Sequence, residues 1–314
     1  MLRAFLASDF HGSDVVFRKF VNALDVYKCD IAFFAGDITG KAMILVKDLG
    51  NSKYETEFLG DKVFLRSKEE LDSFLNKVSS SGFYYKIIKN NEIIEDKNLE
   101  LEMRELMIKR TETWMQIIHN KYKGSNKKFY FITGNDDPSE IKDVIKSYSD
   151  DNIVDANEKT FELPNGMEGF GLPYSNITPW KLPGDLTEDA LKDKIEFLTS
   201  KLKDPGNSVF LIHVPPKDTV IDLAPVLENM SLKIDMSGVQ MAHVGSTAVR
   251  DAILKYQPVA SLHGHIHESR GVAKIGRTYA FNAGSEYQQG ILRGVILNFD
   301  ERPYKLKSYL FVYG

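Results

Sequence analysis

Cysteine is nearly missing: Cys29 is the single one in 314 residues. No intrachain disulfide can form, and a reducing cytoplasm is the expected home. No apolar run approaches the ~20 residues of a membrane-spanning helix, so a soluble chain is expected. The apolar opening Met1 to Ser8 meets Asp9 at once. It is too short for a secretion signal and reads as a first strand. An excess of positive charge is missing too, with 40 Lys and Arg against 44 Asp and Glu and a net charge of −4. No global basic field recruits nucleic acid. There is no internal repeat and no low-complexity tract. What remains, 43% hydrophobic and 27% charged residues, is the composition of a globular protein.

Histidine, by contrast, is concentrated. Three of the seven fall within His263-Gly264-His265-Ile266-His267. In extended backbone, residues two apart share a face, and imidazole is the commonest metal ligand. Gly264 lets another group approach the backbone closely.

Other polar residues stand where apolar strands end. The strand Leu2–Ala7 runs into Asp9 and His11, and Ser13 or Asp14 can cap the helix that follows. A second apolar run, 29–35, ends in Gly36-Asp37. A third, 127–133, ends in Gly134-Asn135-Asp136-Asp137, where Asp137 fits a helix N-cap with Pro138 at the first helical position. Strands are expected over 153–162 and 166–172, and a helix over 187–202. The buried run 208–212 ends in His213. A long loop, 216–245, precedes a helix over 247–256. Amides at a helix start favour an anion, so His243, Gly245 and Ser246 are candidate phosphate contacts. Closing strands are expected over 257–262, 278–281, 294–299 and 304–312.

Residues 41–126 break this alternation. Ser67 caps a helix from Lys68, with Glu70 completing a capping box. The runs 84–88 and 92–94 suggest a hairpin, and Asn98 a cap for a long amphipathic helix. Over 51–126 there are 13 basic and 13 acidic residues, so this is no nucleic-acid arm. It reads as an α+β insertion or cap. The apolar face of its long helix suits a pocket wall or a contact between two copies.

The strand mouths thus present Asp9, His11, Asp37, Asn135, His213, His265 and His267. Mixed oxygen and nitrogen donors without thiolate suit borderline divalent transition metals better than calcium or structural zinc. A central carboxylate can bridge two ions ~3.5–4 Å apart.

Taken in order, Asp9-Phe10-His11, Gly36-Asp37, Gly134-Asn135, His213 and Gly264-His265-Ile266-His267 resemble the five blocks of the calcineurin-like metallophosphoesterases. The resemblance implies an α+β fold: a four-layer α/β/β/α sandwich of two mixed sheets flanked by helices. The match runs from residue 9 to 267, and a single domain over 1–314 is expected, with the insertion at about 41–126. It implies two divalent ions (manganese, iron, zinc or nickel), one held by Asp9, His11, Asp37 and His267. Asp37, Asn135, His213 and His265 would hold the other. It also implies hydrolysis of phosphate esters on a small phosphorylated substrate, with a metal-bridging hydroxide as nucleophile and Asn135 touching the phosphate. One position departs from the pattern. The family's third block usually reads Gly-Asn-His, and here Asp136 replaces the histidine that serves the leaving group. A carboxylate beside two dications stays ionised, so Asp136 is a poor proton donor and His243 a candidate substitute. Phosphodiesters and other good leaving groups suffer least. A non-catalytic scaffold on this fold would have lost ligands, and all seven are present. A repair-type nuclease fits poorly with the neutral insertion.

Overall fold

The computed structural model describes residues 1–314 except 91, 93, 94, 229, 230, 236 and 237. Period-two patterning builds its centre. In Leu2–Ala7, Ala4 and Leu6 face one way and Phe5 and Ala7 the other. In Ile31–Ala35, Phe33 and Ala35 oppose Ala32 and Phe34. Lys128–Ile132 repeats this with Tyr130 and Ile132 against Phe129 and Phe131. Such strands are apolar on both faces because both are covered.

The first sheet runs in the order Leu306–Tyr313, Arg293–Phe299, Leu2–Ala7, Ile31–Ala35, Lys128–Ile132, Ile153–Asp155. Its four N-terminal strands pair parallel and the last two of the chain antiparallel. The second runs Gly271–Ile275, Thr278–Asn282, Ala260–His263, Ser208–Ile212, Glu168–Leu172, Thr160–Glu162. Leu6, Phe33 and Tyr130 meet Val209, Leu211, Leu262 and Phe281 between the sheets. Helices α1 (Asp14–Val26), α3 (Asp96–Tyr122) and α4 (Glu140–Ser147) cover the outer face of the first sheet, and α5 (Glu188–Thr199) and α6 (Thr247–Tyr256) that of the second. The expected four-layer sandwich is the fold observed. No helix is long and apolar enough to cross a membrane among the described residues.

Residues 43–89 build their own four-stranded sheet, Met43–Gly50, Lys53–Phe58, Asp61–Leu65 and Tyr84–Lys89, with α2 (Lys68–Ser80). Ser67 accepts from the Glu70 amide, as its capping box requires. Several local expectations need correction. Tyr84–Lys89, one arm of the expected hairpin, pairs parallel with Met43–Gly50. Most of the other arm, 92–94, lies outside the described residues. Helix α3 begins at Asp96, ahead of the Asn98 cap. Much of its apolar face turns inward. Met107, Trp114, Met115, Ile118 and Tyr122 are buried against α1 and the first sheet, with Trp114 stacked on Phe17 at 4.3 Å. The stretch 153–162 is two strands, one in each sheet. Between them the chain crosses the sandwich through Glu158, whose φ is +53°.

Candidate metal centre

The parallel strands of both sheets end at the same edge of the sandwich, and the polar loops meet there. Asp9, His11, Asn135 and His213 have no solvent exposure and Asp37 has 3%. Asp9, His11, Asp37 and His265 have left-handed backbone, with φ of +58°, +42°, +57° and +70°. Such conformations are costly outside glycine and cluster at functional sites. The glycines beside them are required by contact. A Cβ on Gly134 would lie 1.9 Å from Asp37 Oδ1, and one on Gly264 2.5 Å from Asp9 Oδ2.

Two groups of side chains converge. The ligand atoms of Asp9, His11, Asp37 and His267 all lie within 4.8 Å of one another, as do those of Asp37, His213 and His265. Asp37 is common to both. Its Oδ2 lies 3.6 Å from His11 Nε2 and its Oδ1 3.4 Å from His213 Nε2. Asn135 joins the second group through Oδ1, 3.0 Å from His213 Nε2.

The hydrogen bonds show what these atoms lack. His213 Nδ1 donates to the Ala35 carbonyl at 2.7 Å, so in the neutral ring Nε2 carries only a lone pair. Asn135 Nδ2 donates to Asp185, which turns Oδ1 toward that lone pair. With Asp37 Oδ1, which also accepts from the Asp136 amide at 3.3 Å, three acceptor atoms converge. In the first group, His11 Nε2 and His267 Nε2 face each other at 2.9 Å. A cation satisfies both arrangements, so the donor set fits a pair of metal ions.

The electrostatics agree. Burial, then the nearby Lys41, pushes His11 well below the usual imidazole range, and burial with His213 does so for His265. Both are held as neutral ligands. Burial opposes the charge on Asp9, but hydrogen bonding and attraction from His267, His213 and His11 hold its carboxyl below the ordinary value. Burial, with Asp136 beside it, raises Asp37 well above. His263 stands apart. Buried and pushed down to about 3 by desolvation, it donates from Nδ1 to the Ile212 carbonyl and joins neither group.

Three features were invisible to local sequence patterns. Asp136 is not a bare carboxylate, because Lys41 Nζ lies 2.9 Å from its Oδ2. Asp137 caps no helix, since α4 starts at Glu140. Its buried carboxylate instead accepts from the amides of Gly134, Ile38 and Thr39 and from the Thr39 hydroxyl. The insertion also buttresses the ligand loops. Arg110 of α3 donates to the Gly12 and Phe83 carbonyls, and Tyr84 accepts from the Gly40 amide.

The anion site expected at the start of α6 is already filled. Glu188 accepts from the Ser246 hydroxyl and the Thr247 and Ala248 amides, and Asp222 from the Gly245 amide. Gly245 and Ser246 therefore have no donor left for a phosphate. Glu188→Ala is expected to cost about 1–3 kcal/mol in thermal unfolding, the penalty of unpaired buried donors. It should leave KM for a phosphate ester unchanged, whereas a raised KM would return that helix start to the substrate. His243 differs. Its Nδ1 faces buried Asp222 at 2.8 Å and the ring is partly exposed. Asn176 Nδ2 donates to the next carbonyl, Val244 O, and Ser175 Oγ lies 3.0 Å from His265 Nε2.

The five sequence blocks that resemble the calcineurin-like metallophosphoesterases thus meet at one sandwich edge, as two buried Asp/His groups sharing one carboxylate. No family model matches the chain. TT1561 of Thermus thermophilus superposes with a TM-score of 0.55 at 11% identity, covering 100% of this chain and 98% of that one. That likeness shows the fold. A dimetal phosphatase from Danio rerio aligns over 99% of this chain and 98% of its own, with a TM-score of 0.48 and 8% identity. Among curated proteins, the uncharacterised protein MJ1162 of Methanocaldococcus jannaschii is 30% identical over 154 residues, 48% of this chain. The match spans 61% of that relative's length.

Proposed function

We propose that the protein is a dinuclear metallophosphoesterase, and that good leaving groups, phosphodiesters among them, suit it best. The observation that supports this most is the pair of buried ligand groups hinged on Asp37. When bound, two divalent ions supply Lewis acidity and lower the pKa of a coordinated water toward neutrality. The chain's own residues do the rest. Asn135, fixed by Asp185, presents its carbonyl oxygen to the cluster. His243, oriented by Asp222, offers its outer nitrogen as proton donor. Lys41 brings a cation to the position where the resembled family carries histidine. Burial works against that charge, but Asp37 and Asp136 hold the ammonium protonated above its ordinary range. Lys41 so held is a phosphate-binding cation and a poor acid. That leaves His243 alone of these residues to protonate an alkoxide, so a leaving group that departs without a proton asks less of the site.

Lys41→Met is expected to lower kcat/KM for an aryl phosphodiester about 10- to 100-fold, a loss of roughly 1.4–2.7 kcal/mol. Asp136→Asn should cost less, because it frees the ammonium without deleting it. Steady-state kinetics of both variants check this, and an unchanged Lys41 variant would remove it from the substrate. The enzyme reading is tested by purification without chelators, metal analysis and assay of aryl mono- and diesters. Two ions per chain with turnover support it. Protein that takes up no metal and stays inert with added manganese, nickel or cobalt sinks it.

A further inference from the structure

A cavity of about 460 Å³ opens beside the ligand cluster. His267, Arg270 and Arg293 line it, together with the carboxylates Glu268 and Glu286. Tyr287 bounds it and sets its ring 4.8 Å from that of His11. The cavity is thus continuous with the first ligand group. Pockets of this size hold small-molecule ligands.

The two arginines differ. Arg293 is paired, with Nη2 at 2.5 Å from Glu286. Arg270 has no carboxylate within ion-pair distance among the described residues. One Nη donates to the Val312 carbonyl at 3.3 Å and the guanidinium plane lies over Phe311 at 4.8 Å. Its Nε is buried with no hydrogen-bond partner. A guanidinium cannot shed its proton in a protein, and a half-buried cation without a counterion is costly. Burial and the neighbouring Arg293 press on its charge, and Glu286, which is held by Arg293, offsets part of that from a distance. Val312, the Phe311 ring and the more distant Glu286 hold this cation without a direct ion pair, a partner that an anion entering the cavity would supply.

We propose that this cavity is a second anion subsite, in which Arg270, flanked by Arg293, binds a further phosphate group carried by the substrate. Arg270 offers a phosphate a guanidinium that no carboxylate occupies, while Arg293 is shared with Glu286. Guanidinium forks match phosphate oxygens bidentately. Tyr287 would lie between the two phosphates, bounding the subsite on the His11 side. The proposal rests on the phosphoesterase reading. It narrows that reading to esters bearing a second phosphate within one small-molecule span of the scissile one.

The test compares adenosine 3′,5′-bisphosphate with adenosine 5′-monophosphate, probes that differ by one phosphate. Dissociation constants are measured by calorimetry on metal-free and metal-loaded protein. The bisphosphate is expected to bind wild-type protein at least about tenfold more tightly, equivalent to about 1.4 kcal/mol. Arg270→Met should erase the difference and Arg270→Lys retain only part of it, because an ammonium keeps the charge without the fork, with circular dichroism and thermal unfolding reporting the fold. A wild-type ratio near one overturns the subsite without recourse to any variant. So does a ratio that survives in a folded Arg270→Met. Because binding is read without turnover, the two readings fail separately. An inert protein that keeps the preference loses the phosphoesterase reading alone. An active protein without the preference loses only the subsite.

Discussion

Exchanging Asp37 for asparagine is expected to lower turnover of aryl phosphate esters by about a thousandfold or more, roughly 4 kcal/mol of transition-state stabilisation. Asp37 is the one side chain common to both ligand groups, so the substitution weakens both at once. A change at His267 or His265 would touch only one. Metal analysis should show fewer than two ions per chain, while thermal unfolding of the metal-free variant should match or exceed wild type. The sign follows from the carboxyl's environment. Burial, then Asp136, raises Asp37 well above the ordinary value in the folded chain without metal. Its protonated form therefore favours folding. That stability is complete below the ordinary carboxyl range and is lost as pH rises through the raised value. Metal must displace the same proton, so the affinity of the wild-type protein should climb with pH. An asparagine has no proton to lose, and the variant should lose that part of the dependence. A variant that keeps two ions and full turnover would dismiss Asp37 as the shared ligand.

The second large effect is on stability. Asp137→Ala is expected to cost about 3–5 kcal/mol, the penalty of breaking a buried charged network, and to lower the melting temperature by about 10 °C. The carboxylate joins the loop after Lys128–Ile132 to the loop after Ile31–Ala35 through three hydrogen bonds of 2.7–3.0 Å and closes its own loop through a fourth, from Gly134, at 2.9 Å. Removing it strands three backbone amides and the Thr39 hydroxyl away from water. Activity should fall as well, because the same loops carry Asp37 and Asn135. Asp137→Asn keeps one acceptor oxygen and should lie between wild type and alanine. Calorimetric unfolding decides, and an unchanged midpoint in the alanine variant would show the loops to be held otherwise.

Much of the architecture was legible because it is local. Continuous apolar runs marked Ile31–Ala35, Lys128–Ile132 and Ser208–Ile212 as strands covered on both faces. The polar residue just past each was a site candidate. Asp9, His11, Asp37, His213, His265 and His267 could be collected that way, and the structure brings them together. What stayed hidden depends on contacts between distant residues. Asp137 beside Pro138 has the local signature of a helix cap, and only the fold presents it with amides 98 and 99 positions away. Lys41 sits four residues past Asp37 with no pattern around it. Its meaning comes from Asp136, which folding brings to it. The pairing of Tyr84–Lys89 with Met43–Gly50, forty residues earlier, was hidden for the same reason. At α6 the free amides were read correctly as anion-seeking. The anion is Glu188, from a helix nearly sixty residues earlier.

The cluster also divides by origin. Asp9, His11, Asp37 and Asn135 ride on loops of the first sheet, while His213, His265 and His267 ride on those of the second. Within each sheet, hydrogen bonds hold the strands, but between the sheets the chain relies largely on non-directional apolar packing. Ions seated across that seam would act as rivets at one end of a two-leaf spring. Their removal would lengthen the leash on every ligand at once. Chelation would then appear as breathing of that edge, measurable as faster amide exchange in the strand ends around Ala7, Ala35 and Ile212 while the opposite edge keeps its rates.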